Sequence, residues 1–467
     1  MDSLLKLNAT INNFVWGVPM IILLLGIGSF LCVKTGFWIY RNFGYIMKNT
    51  FGKIFEKENA DDSTITPFQA MSTALAGTIG TGNIVGVATA ISFGGPGAIF
   101  WMWIAAIIGM TTKFAEVTLA LSTREKGTDG TYTGGPMYYL SKGVNSKFLA
   151  IIFCIFGIIA PLGTGALVQS NSIATSLEDT FGFNLRISGI IIAILMALVI
   201  IGGIKRIGSF ASKIVPIMSL FYIIGAIVIL FIQKDKLGSA FSLIFKSAFN
   251  PSAAGGAFAG SSIMLAIRWG LARGIFTNEA GIGTAPIAHA TSHTYHPVKQ
   301  GIWGSFEVFT DTIIVCTMTA LVILTSGLWK DPSIEGIVLT SRAFSSALPI
   351  GRYIVNIGLI LFAFTTAVSW NYYGEKCIQF ITKSHNVKIF YRILYIALCF
   401  VGSIGGLKVV WDIADTFNGL MAIPNLIGLF ILSNAIRNLL KDYIKSQKEN
   451  RKKDYNLTYE NKWKEFF

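Results

Sequence analysis

The chain is poor in charge. Only 13% of its 467 residues are Asp, Glu, Lys or Arg, roughly half the share of a soluble domain, while 53% are hydrophobic. That balance excludes a large soluble domain and leaves one polytopic membrane domain as the simple account. Histidine and cysteine are also scarce, at four and five residues. Cys32, Cys154, Cys316, Cys377 and Cys399 sit in or beside apolar segments with no CxxC pair, which reads as buried free thiols. His289, His293 and His296 cluster in one loop, but no cysteine joins them and no HExxH spacing exists, so a zinc site is not expected. No nucleophile, base and orienter form a coherent set, so the chain does not read as an enzyme. The run from Gly80 to Val85 fails GxGxxG at its last position and lies in an apolar segment rather than a βαβ unit. A basic leader and small-residue cleavage site are missing before the first apolar run.

What charge there is leans basic, at a net +14. Nine Lys and Arg follow Asn434, and most others lie in short loops between apolar runs. This is the inside-positive pattern of membrane proteins, not a nucleic-acid surface, and the basic tail suits contact with anionic lipid.

Eleven spans are expected, near 14–33, 67–92, 98–123, 148–176, 185–202, 209–232, 255–284, 300–326, 350–376, 389–406 and 409–434. About 20 residues suffice to cross a bilayer, so the longer ones are tilted or interrupted. Loops after the first, third, fifth and ninth spans carry the basic residues. That asymmetry places the N-terminus outside and the C-terminus in the cytoplasm of a multi-pass protein of the cell membrane. Residues 1–436 read as one transmembrane domain and 437–467 as a charged cytoplasmic tail. The loops at 34–66 and 124–147 are expected to hold short interfacial helices.

Two spans are poor continuous helices. In the second, Gly77, Gly80, Gly82 and Gly86 alternate with Thr78, Thr81 and Asn83; glycine and threonine are weak helix formers. The seventh carries Arg268, Arg273 and Glu279 among Gly270, Gly274, Gly281 and Gly283. A break inside a bilayer is tolerated only where it faces protein or a water-filled cavity. The two breaks lie five spans apart, so about 67–232 and 255–434 form two halves of five with opposite orientation, and the first helix stands outside them. Corresponding discontinuous helices in two halves point to a transporter's binding site. The fold expected is therefore all-α, with about 11 transmembrane helices in a 5+5 inverted repeat and one extra N-terminal helix.

The candidate residues follow. Backbone N–H groups around Gly80, Thr81, Gly82 and Asn83, with Thr78 beside them, suit a carboxylate at a half-helix start. Carbonyls near Ala74 and Gly77 suit sodium, a hard cation. Gln169 is costly in lipid and is a candidate substrate contact, against the alternative of interhelical bonding alone. Phe276 and Thr277 lie at the second break, where Phe276 suits a small apolar side chain or ordinary core packing. Thr365 and Thr366 offer hydroxyls for sodium or for their own helix, and Trp370 and Asn371 suit a cavity lining. Arg268, Arg273 and Glu279 read as gating or structural charges.

At these residues the chain resembles a known family. Pro96-Gly97-Ala98-Ile99-Phe100-Trp101-Met102-Trp103 closely resembles the signature of the alanine or glycine:cation symporters, which include the sodium:alanine symporters. The Gly80–Ala88 run, Asn278–Gly283 and His296–Gly301 look like further motifs of that family, and similarity extends from about residue 10 to 440. His293 stands where the family's loop motif often has a basic residue. The resemblance implies a LeuT-like 5+5 fold and sodium-coupled symport of small neutral amino acids, chiefly alanine and sometimes glycine. It also implies that Gly80–Asn83 receives the carboxylate, that Gln169 helps hold the substrate, and that Phe276, Thr277 and Trp370 enclose it. Thr365 and Thr366 would bind Na+ with carbonyls of Ala74–Gly77.

The alternatives are a proton-coupled carrier, for which Glu279 is the attractive mid-span carboxylate, and a cation channel, for which no repeated filter is visible. A membrane enzyme would need a catalytic set that the sequence lacks, and a receptor or scaffold would bind without net flux.

Overall fold

The computed structural model describes residues 2–54, 63–127, 130–250, 263–405, 408–449 and 465–466. The start of the expected seventh span, 255–262, and most of the expected tail beyond 449 lie outside the described residues.

Among the described residues, eight helices are long and apolar enough to cross a bilayer: Lys6–Lys34, Ala98–Thr123, Lys147–Phe181, Gly203–Ile232, Pro297–Ser326, Gly351–Ile381, His385–Ile404 and Ile413–Ile431. A ninth crossing is the pair Pro67–Thr78 and Gly82–Gly94, bent by 52° at the expected first break. Leu185–Ile200 is apolar but only 16 residues long, and the described part of the second interrupted segment is Ile263–Asn278. By length and hydropathy the count is thus eight or nine, where eleven were expected. The shortfall arises because a broken or short helix fails any test that demands one long apolar cylinder.

The extramembrane pieces only partly match expectation. Trp38–Arg41 and Phe43–Asn49 are short helices in the first loop. The 124–147 loop holds the helix Pro136–Lys142 and a small hairpin, Glu125–Lys126 with Tyr132–Thr133. Two longer helices, Lys234–Phe249 and Gly336–Ala347, were not expected. The helix Ser433–Lys448 buries Ile436, Leu439, Leu440 and Tyr443 along one side, at the helical spacing of an amphipathic stripe. The Tyr443 hydroxyl meets that of Tyr45 at 2.8 Å.

Local chemistry sets where the first broken helix starts and stops. Thr66 and Gln69 form a capping box, with Pro67 at the first helical position. Its end falls at Thr78, where Ile79 turns extended (φ −72°, ψ 99°). Ala98–Thr123 lies deepest, with 83% of its most apolar stretch buried, whereas the figure for His385–Ile404 is 28%. The first is a core helix and the second borders lipid.

Small residues let helices pack closely around Ala98–Thr123. A Cβ on Gly270 would lie 2.2 Å from the Ala98 carbonyl oxygen, and one on Gly301 would lie 2.3 Å from the Thr118 hydroxyl. Gly26 has no neighbour within 4 Å of such a Cβ. Gly270→Ala is therefore expected to cost about 1–3 kcal/mol by overpacking and to lower the melting temperature in detergent. Gly26→Ala, in a helix interior facing open space, is expected to leave it unchanged or slightly raised. Equal melting temperatures for the two variants would contradict this account of the packing.

Candidate functional site

At the first break the backbone is opened and then covered by side chains. The carbonyls of a half-helix end lack intrahelical partners. One face of the Gly351–Ile381 helix supplies donors to them at positions i, i+3 and i+4. The Thr366 hydroxyl reaches the Ala76 carbonyl at 3.1 Å and that of Ile79 at 3.3 Å. Ser369 donates to the Thr73 carbonyl at 2.8 Å, and Trp370 Nε1 approaches the Gly77 carbonyl at 3.4 Å. One turn further along, Tyr373 places its hydroxyl where a Cβ on Gly77 would be 2.7 Å away. That hydroxyl is buried and has no hydrogen-bond partner. The second half-helix opens in widened turns over Gly82–Gly86, a feature often found at functional sites.

The second break is held from behind. Glu279, Gly281 and Gly283 all have positive φ, at 53°, 93° and 94°. The Asn278 side chain accepts the Ala280 N–H at 3.0 Å and donates to Thr312 at 3.2 Å. Gly281 donates its N–H to Glu116 at 3.1 Å, and Asn425 donates both to Glu116 (2.5 Å) and to the Gly281 carbonyl (2.9 Å). The breaks approach closely: a Cβ on Gly82 would stand 3.1 Å from the Thr277 hydroxyl.

Between them lies a cavity. Gly77, Thr78, Gly80, Thr81 and Gly82 line it from the first break, and Phe276, Thr277 and Glu279 from the second. Thr164 and Gln169 complete it from one neighbouring helix, Thr366 and Trp370 from another, and Asn418 from a third. Its volume is about 310 Å³, counting the gaps between atoms and its open side. Thr164 and Gln169 reach it because Pro161 interrupts the donor ladder of Lys147–Phe181, giving widened turns over Pro161–Leu167. Gln169 Nε2 donates to the Thr164 carbonyl at 3.1 Å, while its Oε1 is buried without a partner.

Not every candidate faces this cavity. Asn83 is fully buried: its side chain accepts the Gly80 N–H at 2.9 Å and donates to Asp311 at 2.7 Å. It ties the Gly80 backbone to Asp311 instead of lining the void. Asn371 is buried off the cavity, and both of its polar atoms lack partners. Of the oxygens considered for sodium, Thr366 meets the carbonyls of Ala76 and Ile79, not those of Ala74 and Gly77. Thr365 turns to its own helix, at 3.1 Å from the Leu361 carbonyl and 3.0 Å from that of Phe362. The oxygens of Ala76, Ile79 and Thr366 form a neutral all-oxygen set of the kind hard cations take.

Arg268 and Arg273 belong to a second, larger void of about 620 Å³, lined also by Asn12, Asn13, Trp16, Trp269, Phe276 and Asp415. The Arg273 guanidinium lies 5.2 Å from the Trp269 ring centre and 5.6 Å from that of Phe276. Trp16 stacks edge-on against Phe276 at 5.8 Å. Among the described residues Phe276 alone lines both voids, so the charges grouped in the sequence divide: the arginines go to the larger void and Glu279 to the smaller one. Thr164 and Asn418 were not anticipated. Thr164 follows a Pro-Leu-Gly interruption that signals a bent helix, whereas Asn418 has no such local mark.

Comparisons with known proteins identify the family and the fold. The sodium:alanine symporter family profile matches residues 1–457. The sodium/alanine symporter AgcS of Methanococcus maripaludis is 45% identical over 97% of this chain and 100% of its own length. The amino-acid carrier protein AlsT of Bacillus subtilis is 38% identical over 95% of this chain and 93% of its own. Among solved structures, MhsT in complex with L-phenylalanine superposes with a TM-score of 0.51 at 15% identity, covering 83% of this chain and 100% of that one. At that identity the likeness concerns the fold, which is LeuT-like. The profile spans almost the whole chain and the relatives align along nearly all of it; this chain belongs to the sodium:alanine symporter family.

Proposed function

We propose that this protein carries small neutral amino acids, alanine first among them, into the cell by symport with sodium. The observation that carries the reading is the small cavity shared by the two helix breaks and closed by Gln169 and Trp370. The leading N–H groups at Thr81 and Gly82 sit at the positive end of a half-helix and suit the substrate carboxylate. Phe276 and Trp370 bound the space for its side chain, and Gln169 and Thr277 offer polar contacts. The confined space between them favours a small side chain over a large one. Na+ is held by the carbonyls of Ala76 and Ile79 with the Thr366 hydroxyl. This ties the ion to the same broken helix that binds the amino acid, so each stabilises the arrangement the other needs. Transport then follows from rocking of the broken helices against the surrounding scaffold; no covalent chemistry is involved.

The architecture proposed is eleven crossings: the eight long helices, the bent pair, Leu185–Ile200, and the second interrupted segment around Ile263–Asn278. Two inverted halves of five, about 67–232 and 255–434, follow the N-terminal helix, with the N-terminus outside and the C-terminus in the cytoplasm. Single cysteines at Asn8 and Lys448 in a cysteine-free background should therefore label from opposite sides of sealed cells. Labelling of both from the same side would sink the eleven-span topology.

Proteoliposomes under an inward sodium gradient should accumulate labelled alanine, and replacing sodium by potassium should abolish that accumulation. Excess glycine should compete and excess tryptophan should not. Accumulation that persists after the sodium gradient is collapsed would defeat the coupling. Thr366→Val should raise the sodium concentration for half-maximal uptake at least tenfold, as expected for losing a contact to a charged partner of about 1.5–3 kcal/mol. Thr365→Val should shift it less, since that hydroxyl is turned to its own helix.

A further inference from the structure

Glu279 occupies a position that disfavours it in three ways. It is a non-glycine residue at φ 53°, in a left-handed region that usually falls to glycine or asparagine. It follows the C-terminal end of Ile263–Asn278, where the helix dipole repels negative charge. It is also 96% buried, at 4% exposure, in a segment placed within the membrane, where a carboxylate needs a partner.

Among the described residues no basic side chain lies within ion-pair distance of it, and Lys113 acts on it only from farther away. Lys113 is the basic side chain of this buried region, and its Nζ lies 3.5 Å from Glu307, which His289 also contacts at 2.9 Å. Glu116 is engaged by Asn425 and the Gly281 N–H, and Asp311 by Asn83. The charged or titratable groups around Glu279 are Lys113, Glu307, Asp311 and Tyr373. Its one side-chain hydrogen bond comes from the Thr284 hydroxyl to Oε2. Glu279 is nevertheless one of the residues that line the smaller cavity, together with Thr277 and Gly82.

We propose that Glu279 is the anionic contact for the ammonium group of the substrate, so that the cavity reads both charges of a zwitterion from opposite helix ends. The start of the Gly82–Gly94 half-helix, with its positive dipole end, takes the carboxylate. Glu279 and the negative end of Ile263–Asn278 take the ammonium. This rests on the reading of the cavity as the amino-acid site and adds the residue that selects α-amino acids over simple carboxylic acids. The other ligand that this charge suits is sodium, and the test separates the two.

The experiment uses full-length protein in detergent, with sodium-dependent thermal stabilisation and labelled-alanine binding measured on the same preparations, and propionate as the competitor that lacks an ammonium group. In E279Q the alanine dissociation constant at saturating sodium should rise at least about tenfold, as for truncating one partner of a buried charge pair. The sodium midpoint for stabilisation should stay within about twofold of wild type, and the preference for alanine over propionate should shrink. Unchanged alanine affinity would overturn the proposal. So would a sodium midpoint that moves as far as alanine affinity does, which would make Glu279 an ion ligand, or a loss of pH dependence alone, which would make it a proton carrier. E279D keeps the charge and should retain part of the affinity. Should E279Q not fold, dipolar recoupling between 15N-alanine and 13Cδ-glutamate in the wild-type protein reads the contact directly, and absence of coupling overturns it. Wild-type protein that bound no alanine would overturn this proposal and the symport reading together, whereas wild-type binding with E279Q unaffected overturns this one alone.

Discussion

A backbone opened inside hydrocarbon must find polar partners at once, and here it finds them on the face of one neighbouring helix. Thr366, Ser369, Trp370 and Tyr373 follow the i, i+3, i+4, i+7 rhythm along Gly351–Ile381, so a single helical stripe meets the end of Pro67–Thr78. Three of these side chains donate to the carbonyls of Thr73, Ala76, Gly77 and Ile79. Glycine at 77 and 80 lets the stripe come close, since a Cβ at either would stand 2.7 Å from the Tyr373 or Thr366 hydroxyl. The break is thereby a formed element with defined contacts. Each unmet carbonyl would otherwise cost several kcal/mol in lipid.

Behind the breaks, buried polar groups tie the two half-helices together. The Asn83 side chain accepts the Gly80 N–H and bonds to Asp311, which also receives the Thr312 hydroxyl. Thr312 in turn accepts from Asn278 at the other break. Deeper, Gln300 Nε2 lies 2.8 Å from His289 Nδ1 and 3.2 Å from the Pro67 carbonyl. With the amide donating to Nδ1, the imidazole carries its proton on Nε2 and donates it to Glu307. The start of the first broken helix is so tied to the Pro297–Val308 helix. Buried polar atoms left without a hydrogen-bond partner are costly, which directs attention to those near the breaks. Gln169 Oε1 and the Tyr373 hydroxyl are two of them, and both belong to residues at the first break or the cavity.

Much of this was legible in the chain because glycine, proline and buried polar residues leave physical marks. The glycine spacing from Gly77 to Gly86 located the first break to within a few residues, and the intramembrane charges of Arg268, Arg273 and Glu279 flagged the second. Ala98–Thr123 was placed at its observed limits by hydropathy alone. What escaped depends on facing, which periodicity does not carry. Asn83 directly follows the cavity-lining Gly82, yet its side chain accepts the Gly80 N–H and donates to Asp311, away from the void. Thr365 and Thr366 are adjacent and chemically identical, and only their 100° offset around the helix sends one to the broken helix and the other to its own carbonyls. Lys234–Phe249 and Gly336–Ala347 lacked the uninterrupted apolar runs by which spans are found, so they read as loop.

The division of labour around the cavity bears on how selectivity arises in such a fold. On the proposed reading, backbone groups at Thr81 and Gly82, and the paired helix ends, meet what every α-amino acid shares. They can be altered only by moving the breaks themselves. The side chains that bound the remaining space, Phe276, Trp370, Thr164 and Gln169, come from three separate helices and take no part in closing the first break, apart from the 3.4 Å approach of Trp370 to the Gly77 carbonyl. Trp370 is further fixed by Gly165, whose Cβ would lie 2.7 Å from its own. Changing which side chain is accepted therefore falls first to Phe276 and Thr164, which can vary without uncovering a carbonyl, whereas Gln169 also covers the Thr164 carbonyl. Changing the requirement for an amino acid at all would mean rebuilding the opened backbone on which the ion site also depends.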